Sequence, residues 1–203
     1  MMHRIREAMK DTDQGPMGGR SKWIEADETY VGGKVSNRKS KQRKQSQKQS
    51  SPVAEKQPVV SLVERDGNVR SFHVANVNGN TLRHVLVTNA DRASFLMTDE
   101  HSGYKGVGKE FFLHSVVKHS LGEYGRDKVF HTNTIEGFFS ILKRGITGVY
   151  HHVSEAHLKR YLTEFDFRYN TRKLNDFERS EQALMGIAGK RLTYRRTSAV
   201  AAW

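Results

Sequence analysis

The spacing of apolar residues changes period several times along the chain. From Ser21 to Val31 the run Trp23-Ile24-Glu25-Ala26-Asp27-Glu28-Thr29-Tyr30-Val31 is rich in β-branched and aromatic residues and stops at Gly32-Gly33, which predicts a strand. Lys34 to Lys56 has no such pattern. It is rich in Gln and Ser, carries Lys34, Arg38, Lys39, Lys41, Arg43, Lys44 and Lys48, and has no acid before Glu55; it reads as a mobile basic loop. Order returns at Pro58, where Val59 to Arg65 and Val69 to Val74 flank Asp66-Gly67-Asn68, a hairpin with Asp-Gly at its turn. Asn80 or Thr81 can cap a helix to about Asn89, with Leu82, Val85 and Leu86 on its apolar face. Ala93-Ser94-Phe95-Leu96-Met97-Thr98 is a nearly continuous apolar run, the pattern of a buried strand, with Asp99 at its C-terminal end.

Phe111 to His119 reads as a further strand or extended segment. Thr132 or Asn133 begins a helix carrying Ile135, Phe138, Phe139, Ile141 and Leu142, which Gly145 and Gly148 are expected to stop. A second helix runs from about Ser154, a plausible N-cap, to Tyr169, burying Leu158, Tyr161, Leu162 and Phe165. A shorter one covers about Ser180 to Gly186, and the tail beyond is basic. Three strands, a helix, a strand, an extended segment and then helices point to an α/β fold with a mixed β-sheet flanked by helices. Residues 1–20 form a polar stretch with a Gly15-Pro16 break, and Ile5 to Met9 reads as the end of a helix.

Composition narrows the class. The 203 residues suit one domain with a real core, and no apolar run is long enough to span a bilayer. Cysteine is absent, so neither a disulfide framework nor a thiolate zinc site can be built. The N-terminus has no apolar stretch behind its basic residues, unlike a signal peptide, so the expectation is a soluble, cytoplasmic protein. A formal net charge of +12 and a pI near 10.0 favour polyanions, because phosphate contacts release counterions.

The acids give that charge a chemistry. Asp27 lies in the first strand, Asp99 at the end of a later one, and Glu136 on the first turn of the following helix. Two carboxylates at strand ends and one on a helix suit metal-assisted phosphoryl transfer, where two Mg²⁺ ions about 4 Å apart stabilise the attacking and leaving oxygens. Lys143 falls two helical turns after Glu136, on the same face, within reach of a scissile phosphate. Asn133, near that face, is a possible amide ligand. Plainer readings stand beside these. Asp27 can be a strand-end charge with Glu28 competing for its role, and Asp99-Glu100 can cap a helix. Asn133 and Glu136 can be the two ends of a capping box, and Lys143-Arg144 can simply complement a helix C-terminus. His114 and His119, or His151 and His152, read as surface or packing residues, and His101 and His131 as groups that orient water or phosphate.

Longer words decide among these. Glu25-Ala26-Asp27-Glu28-Thr29-Tyr30-Val31-Gly32-Gly33-Lys34 resembles the opening of the catalytic domain in one branch of bacterial insertion-sequence transposases of the DDE type. Thr98-Asp99-Glu100-His101-Ser102-Gly103-Tyr104 resembles its second acidic segment. The strongest match runs from His131-Thr132-Asn133-Thr134-Ile135-Glu136-Gly137-Phe138-Phe139 through Ser140-Ile141-Leu142-Lys143-Arg144-Gly145, followed by Tyr161 to Arg172. The resemblance covers most of residues 3 to 185 and implies a ribonuclease H-like core over 21–175, after a linker remnant at 1–20 and before a C-terminal helix and basic tail at 176–203. It implies Mg²⁺ or Mn²⁺ as a pair of ions on Asp27, Asp99 and Glu136. Double-stranded DNA would be the partner, as element ends and as target, worked on near the nucleoid by a homodimer or larger assembly; no membrane and no small-molecule substrate is expected. The third acidic position varies within the branch and can be Asn, so Asn133 is a rival of Glu136, which its distance to Lys143 favours. Lys34, Arg38, Lys39, Lys41, Arg43 and Lys44 of the loop, with Lys143, Arg144, Arg168 and Arg172, are expected on DNA, though Arg168 can equally pair with Glu164. The branch usually carries an N-terminal zinc ribbon or helix-turn-helix. Its absence here implies a truncated copy: an integrase-like core that moves DNA, or alternatively a non-catalytic DNA-binding remnant or a structure-specific nuclease of ribonuclease H-like fold.

Overall fold

The computed structural model describes residues 2–11, 14–32, 56–117 and 131–190. The expected basic loop, with Lys34, Arg38, Lys39, Lys41, Arg43 and Lys44, lies outside the described residues, as do His119 and the basic tail. Five strands form one sheet: β1 (Trp23–Val31), β2 (Gln57–Glu64), β3 (Val69–His73), β4 (Phe95–Thr98) and β5 (Leu113–Val116). Their order is β3-β2-β1-β4-β5. β2 is antiparallel to β1 and β3, whereas β4 is parallel to β1 and β5. The helices are α1 (Met2–Ala8), α2 (Gly79–Asn89), α3 (Tyr104–Val107), α4 (Asn133–Gly145), α5 (Glu155–Asn170) and α6 (Asp176–Met185). This is an α/β fold of ribonuclease H-like type.

Alternation along β2 explains how the sheet buries both faces. Val60 and Leu62 join Ile24, Ala26 and Leu96 under α2, where Leu82, Val85 and Leu86 complete a core with Tyr104 and Val107. Val59 and Val63 point the other way, toward Ile135, Phe138, Phe139 and Leu142 of α4 and Leu158, Leu162 and Phe165 of α5. Burying each such side chain contributes roughly 1.5–3 kcal/mol, enough to make α4 a helix whatever caps it. At the open edge of the sheet, α5 occupies the backbone of β3. Val69 N–H donates to Asn170 Oδ1 at 2.7 Å and Ser71 N–H to Asp166 Oδ2 at 2.8 Å, closing an edge that would otherwise template another strand. α1 docks on α5 through the buried Arg6–Glu164 pair at 2.7 Å, with the guanidinium 3.9 Å above the Tyr161 ring.

Several local expectations change. The cap of α2 is Asn78, whose side chain accepts from Thr81 N–H at 2.9 Å, because that oxygen alone sits one residue ahead of the helix with extended backbone. In the hairpin it is Asp66, not Gly67, that takes the left-handed φ of 60°. α3 and the 3₁₀ turn Gly108–Glu110 stand between β4 and β5, and the residue that caps α3 is Gly103, not Asp99 or Glu100. α6 begins earlier than expected, at a capping box made by Asn175 and Glu178.

The α-helix ends at Gly145, as expected, but the helical path does not. The chain continues through a π-helical turn, Ile146–Tyr150, and changes direction only at His151, with φ 57°. Gly145 also serves packing, since a Cβ there would lie 2.4 Å from Phe165 Cζ. Gly145→Ala should therefore cost roughly 1–3 kcal/mol through overpacking in a urea titration. A variant as stable as the parent would show that α4 and α5 are not in close contact here.

Candidate active site

The last rung joining β1 to β4 is Ala26 opposite Thr98, while β1 stays paired to β2 as far as Val31 opposite Gln57. Beyond Ala26 the β4 side of β1 is therefore open. Asp27 and Glu28 are the first two residues past that rung on β1, and Asp99 is the first past it on β4. Neighbouring strand residues point to opposite faces, so only a free edge lets Asp27 and Glu28 turn toward one place. They do: carboxylate oxygens of Asp27, Glu28 and Asp99 lie within 4.8 Å of one another, all half-buried.

Few groups answer this negative charge. Glu28 N–H donates to Asp27 Oδ1 at 2.7 Å, His101 N–H to Asp99 Oδ1 at 3.0 Å, and the Tyr104 hydroxyl to Glu28 Oε2 at 2.9 Å. His101 Nδ1 accepts from Gly103 N–H at 3.2 Å, and its Nε2 lies 3.9 Å from Glu28 Oε1. Burial, then the charge of Asp99, pushes the Asp27 carboxyl up to about 8, with Glu28 and Glu136 adding to it and the Glu28 amide opposing. Glu28 is also raised, by burial and then by Asp99, while the Tyr104 hydroxyl opposes. An all-oxygen donor set whose members repel one another fits a hard divalent cation, which such ligands favour and whose charge removes the repulsion.

The remaining expected residues divide. Glu136 sits on the first turn of α4 and acts on Asp27 through its charge, but the three-acid cluster is completed by Glu28. The capping box that was the plainer reading of Asn133 and Glu136 does not form. Thr132 is the N-cap residue, Asn133 is the first helical residue, and Glu25 Oε2 takes the Thr134 and Ile135 amides at 2.9 and 3.0 Å. Lys143 and Arg144 are exposed on α4, within a helical path that continues to Tyr150. Arg168 pairs with Glu164 at 3.0 Å, and Arg172 stacks over Tyr169 and donates to the Gly67 carbonyl at 3.0 Å. Both guanidiniums are thus engaged by protein. His114 Nε2 contacts the Thr98 hydroxyl at 2.9 Å, and burial lowers its pKa, as suits a packing residue. Tyr104 and Glu25 had no assigned role from sequence, although both lie within the matching words and Glu25 shares a strand face with Asp27.

The family model described as the ISXO2-like transposase domain matches residues 18–170, which contain the whole acidic cluster and α4. The chain belongs to this family. It carries an insertion-sequence DDE transposase domain, so its partner class is DNA and its family works with divalent metals. No curated protein matches the chain. Among the described residues, no helix is long and apolar enough to cross a membrane.

The crowded acids make stability depend on pH. With Asp27 titrating near 8 in the folded transposase domain against an ordinary 3.8, the protonated form favours folding, and metal-free stability falls as pH rises from about 4 to about 8. The loss is on the order of a few kcal/mol. Asp27→Asn should raise the Tm of the metal-free protein at pH 8.5 and shrink the Tm gain on adding Mn²⁺. Equal pH profiles for variant and parent would mean that Asp27 is not in a crowded site.

Proposed function

We propose that this chain is the catalytic core of a DNA transposase that hydrolyses a phosphodiester at an insertion-sequence end and then joins the freed 3′-hydroxyl to target DNA. The observation that carries the reading is the convergence of Asp27, Glu28 and Asp99 where β4 ends alongside β1, beside a helix bearing Glu136, in a transposase-family chain. Asp27, Asp99 and Glu136 would hold two Mg²⁺ or Mn²⁺ ions, which when bound supply charge to both the attacking and the leaving oxygen. Glu28 lies close enough to join them, and its bond from Tyr104 orients it. His101 N–H holds one Asp99 oxygen and so leaves the other free to turn into the cleft.

Lys143 is exposed two turns beyond Glu136 and supplies a positive charge for a scissile phosphate on the same helix face. Glu136, not Asn133, is the third acid in this reading, because its charge already acts on Asp27. The basic excess of the chain supplies sequence-independent attraction for element ends and target DNA. No covalent protein–DNA intermediate is needed, since water and then a 3′-hydroxyl act as nucleophiles and the displaced oxygen leaves each time.

Cleavage and joining of end-containing DNA by the protein in Mg²⁺ tests this. Asp99→Asn and Glu136→Ala should each lower both steps at least about 100-fold, as expected for groups acting on the transition state, while Asn133→Ala stays within about threefold. Cleavage at the parental rate by Asp99→Asn would overturn the site. Nicking without joined products would mark a nuclease, and salt-sensitive binding without nicking a DNA-binding remnant.

A further inference from the structure

Glu25 stands two residues before Asp27 on the same face of β1. It is wholly buried, at 0% exposure, and neither hydrolysis nor joining uses it. A buried carboxylate persists only where its charge is met. Its Oε1 accepts from Arg65 Nε at 2.7 Å and Thr134 Oγ1 at 3.0 Å, with His131 Nδ1 at 3.3 Å. Its Oε2 accepts the Thr134 and Ile135 amides at 2.9 and 3.0 Å. Arg65 closes the ring by donating Nη2 to the His131 carbonyl at 2.8 Å. First-turn amides are ordinarily met by a helix's own N-cap side chain. Those of α4 are held instead from the central strand, by a residue more than a hundred positions away.

We propose that Glu25 is a positioning residue: it clamps the N-terminus of α4 to β1 and thereby sets how far Glu136 stands from Asp27 and Asp99, so that metal is bound in full only with the clamp closed. The inference rests on the metal-centred reading of the site. Asp27 follows Glu25 by two residues of strand, and Glu136 follows the clamped Ile135 by one residue of helix. One carboxylate thus controls both sides of the gap between the acids. A shift of the clamp passes to Glu136 with no intervening flexible segment, and sites of this kind tolerate displacements of only about 0.5 Å.

Mn²⁺ binding to the full chain, read by electron paramagnetic resonance, tests the clamp independently of activity. Glu25→Ala should weaken binding about 10- to 100-fold, the usual effect of losing a partner behind the ligands. In a Glu136→Ala background the same change should add less than about threefold, because the clamp acts through Glu136. Glu25→Gln, which keeps an oxygen on the two amides, should retain most of the affinity, whereas Glu25→Asp, charged but one methylene shorter, should not. Losses that add in full with Glu136→Ala, or a folded Glu25→Ala that binds as the parent, would overturn the proposal. If Glu25→Ala does not fold, Glu25→Asp carries the same cycle. If instead Asp27→Asn and Asp99→Asn bind Mn²⁺ like the parent, the metal-centred reading fails. The clamp is then read by hydrogen exchange at the Thr134 and Ile135 amides, expected to be faster in Glu25→Asp; unchanged exchange would overturn the clamp itself.

Discussion

The short pairing between β1 and β4 governs the site. Four rungs, from Trp23 opposite Phe95 to Ala26 opposite Thr98, bring two parallel strands together. β4 then ends while β1, held by β2 on its other side through Val31, runs on. A crevice at the C-terminal ends of parallel strands is where α/β sheets commonly take their ligands. Were β4 two residues longer, its backbone would pair with Asp27 and Glu28, and neighbouring side chains of opposite facing would have no shared space. The acids meet because the strand stops.

That convergence sets two electrostatic scales against each other. At long range the chain carries +12 and attracts a polyanion, an effect that fades beyond about 8 Å at physiological salt. At short range the crevice holds several carboxylates with a handful of hydrogen-bond donors and would repel a phosphate. Arg65, in the turn after β2, is engaged by Glu25 and the His131 carbonyl. Divalent cations held there, as in the proposed function, would reconcile the two scales, since they would discharge the crevice and give the phosphate something to bind.

Much of this was legible in the residues. The β-branched and aromatic run of β1, the Asp-Gly hairpin after Glu64 and the apolar spacing of Ile135, Phe138, Phe139 and Leu142 predict the sheet and α4, because local composition and periodicity report burial directly. Asp27 and Asp99 were visible as strand-end acids inside longer family words. What was hidden depends on contacts through space. Gly145 reads the same whether it ends a helix or lets one pass against Phe165. The capping of α4 by Glu25 joins residues over a hundred positions apart, so a local rule assigned it to Asn133. Strand alternation sets Glu28 apart from Asp27, and only the end of β4 brings them together. Four residues in α3 are too few to show a period, which concealed the Tyr104 hydroxyl on Glu28.

The central claim is that the crevice where β4 ends beside β1 is a two-ion phosphoryl-transfer site. Anomalous X-ray diffraction from crystals of the chain grown with Mn²⁺ tests it most directly. The account predicts two peaks about 4 Å apart, both ligated by Asp27 or Asp99 and one also reached by Glu136. Manganese bound elsewhere, with Asp27 and Asp99 out of contact with it, would contradict the account.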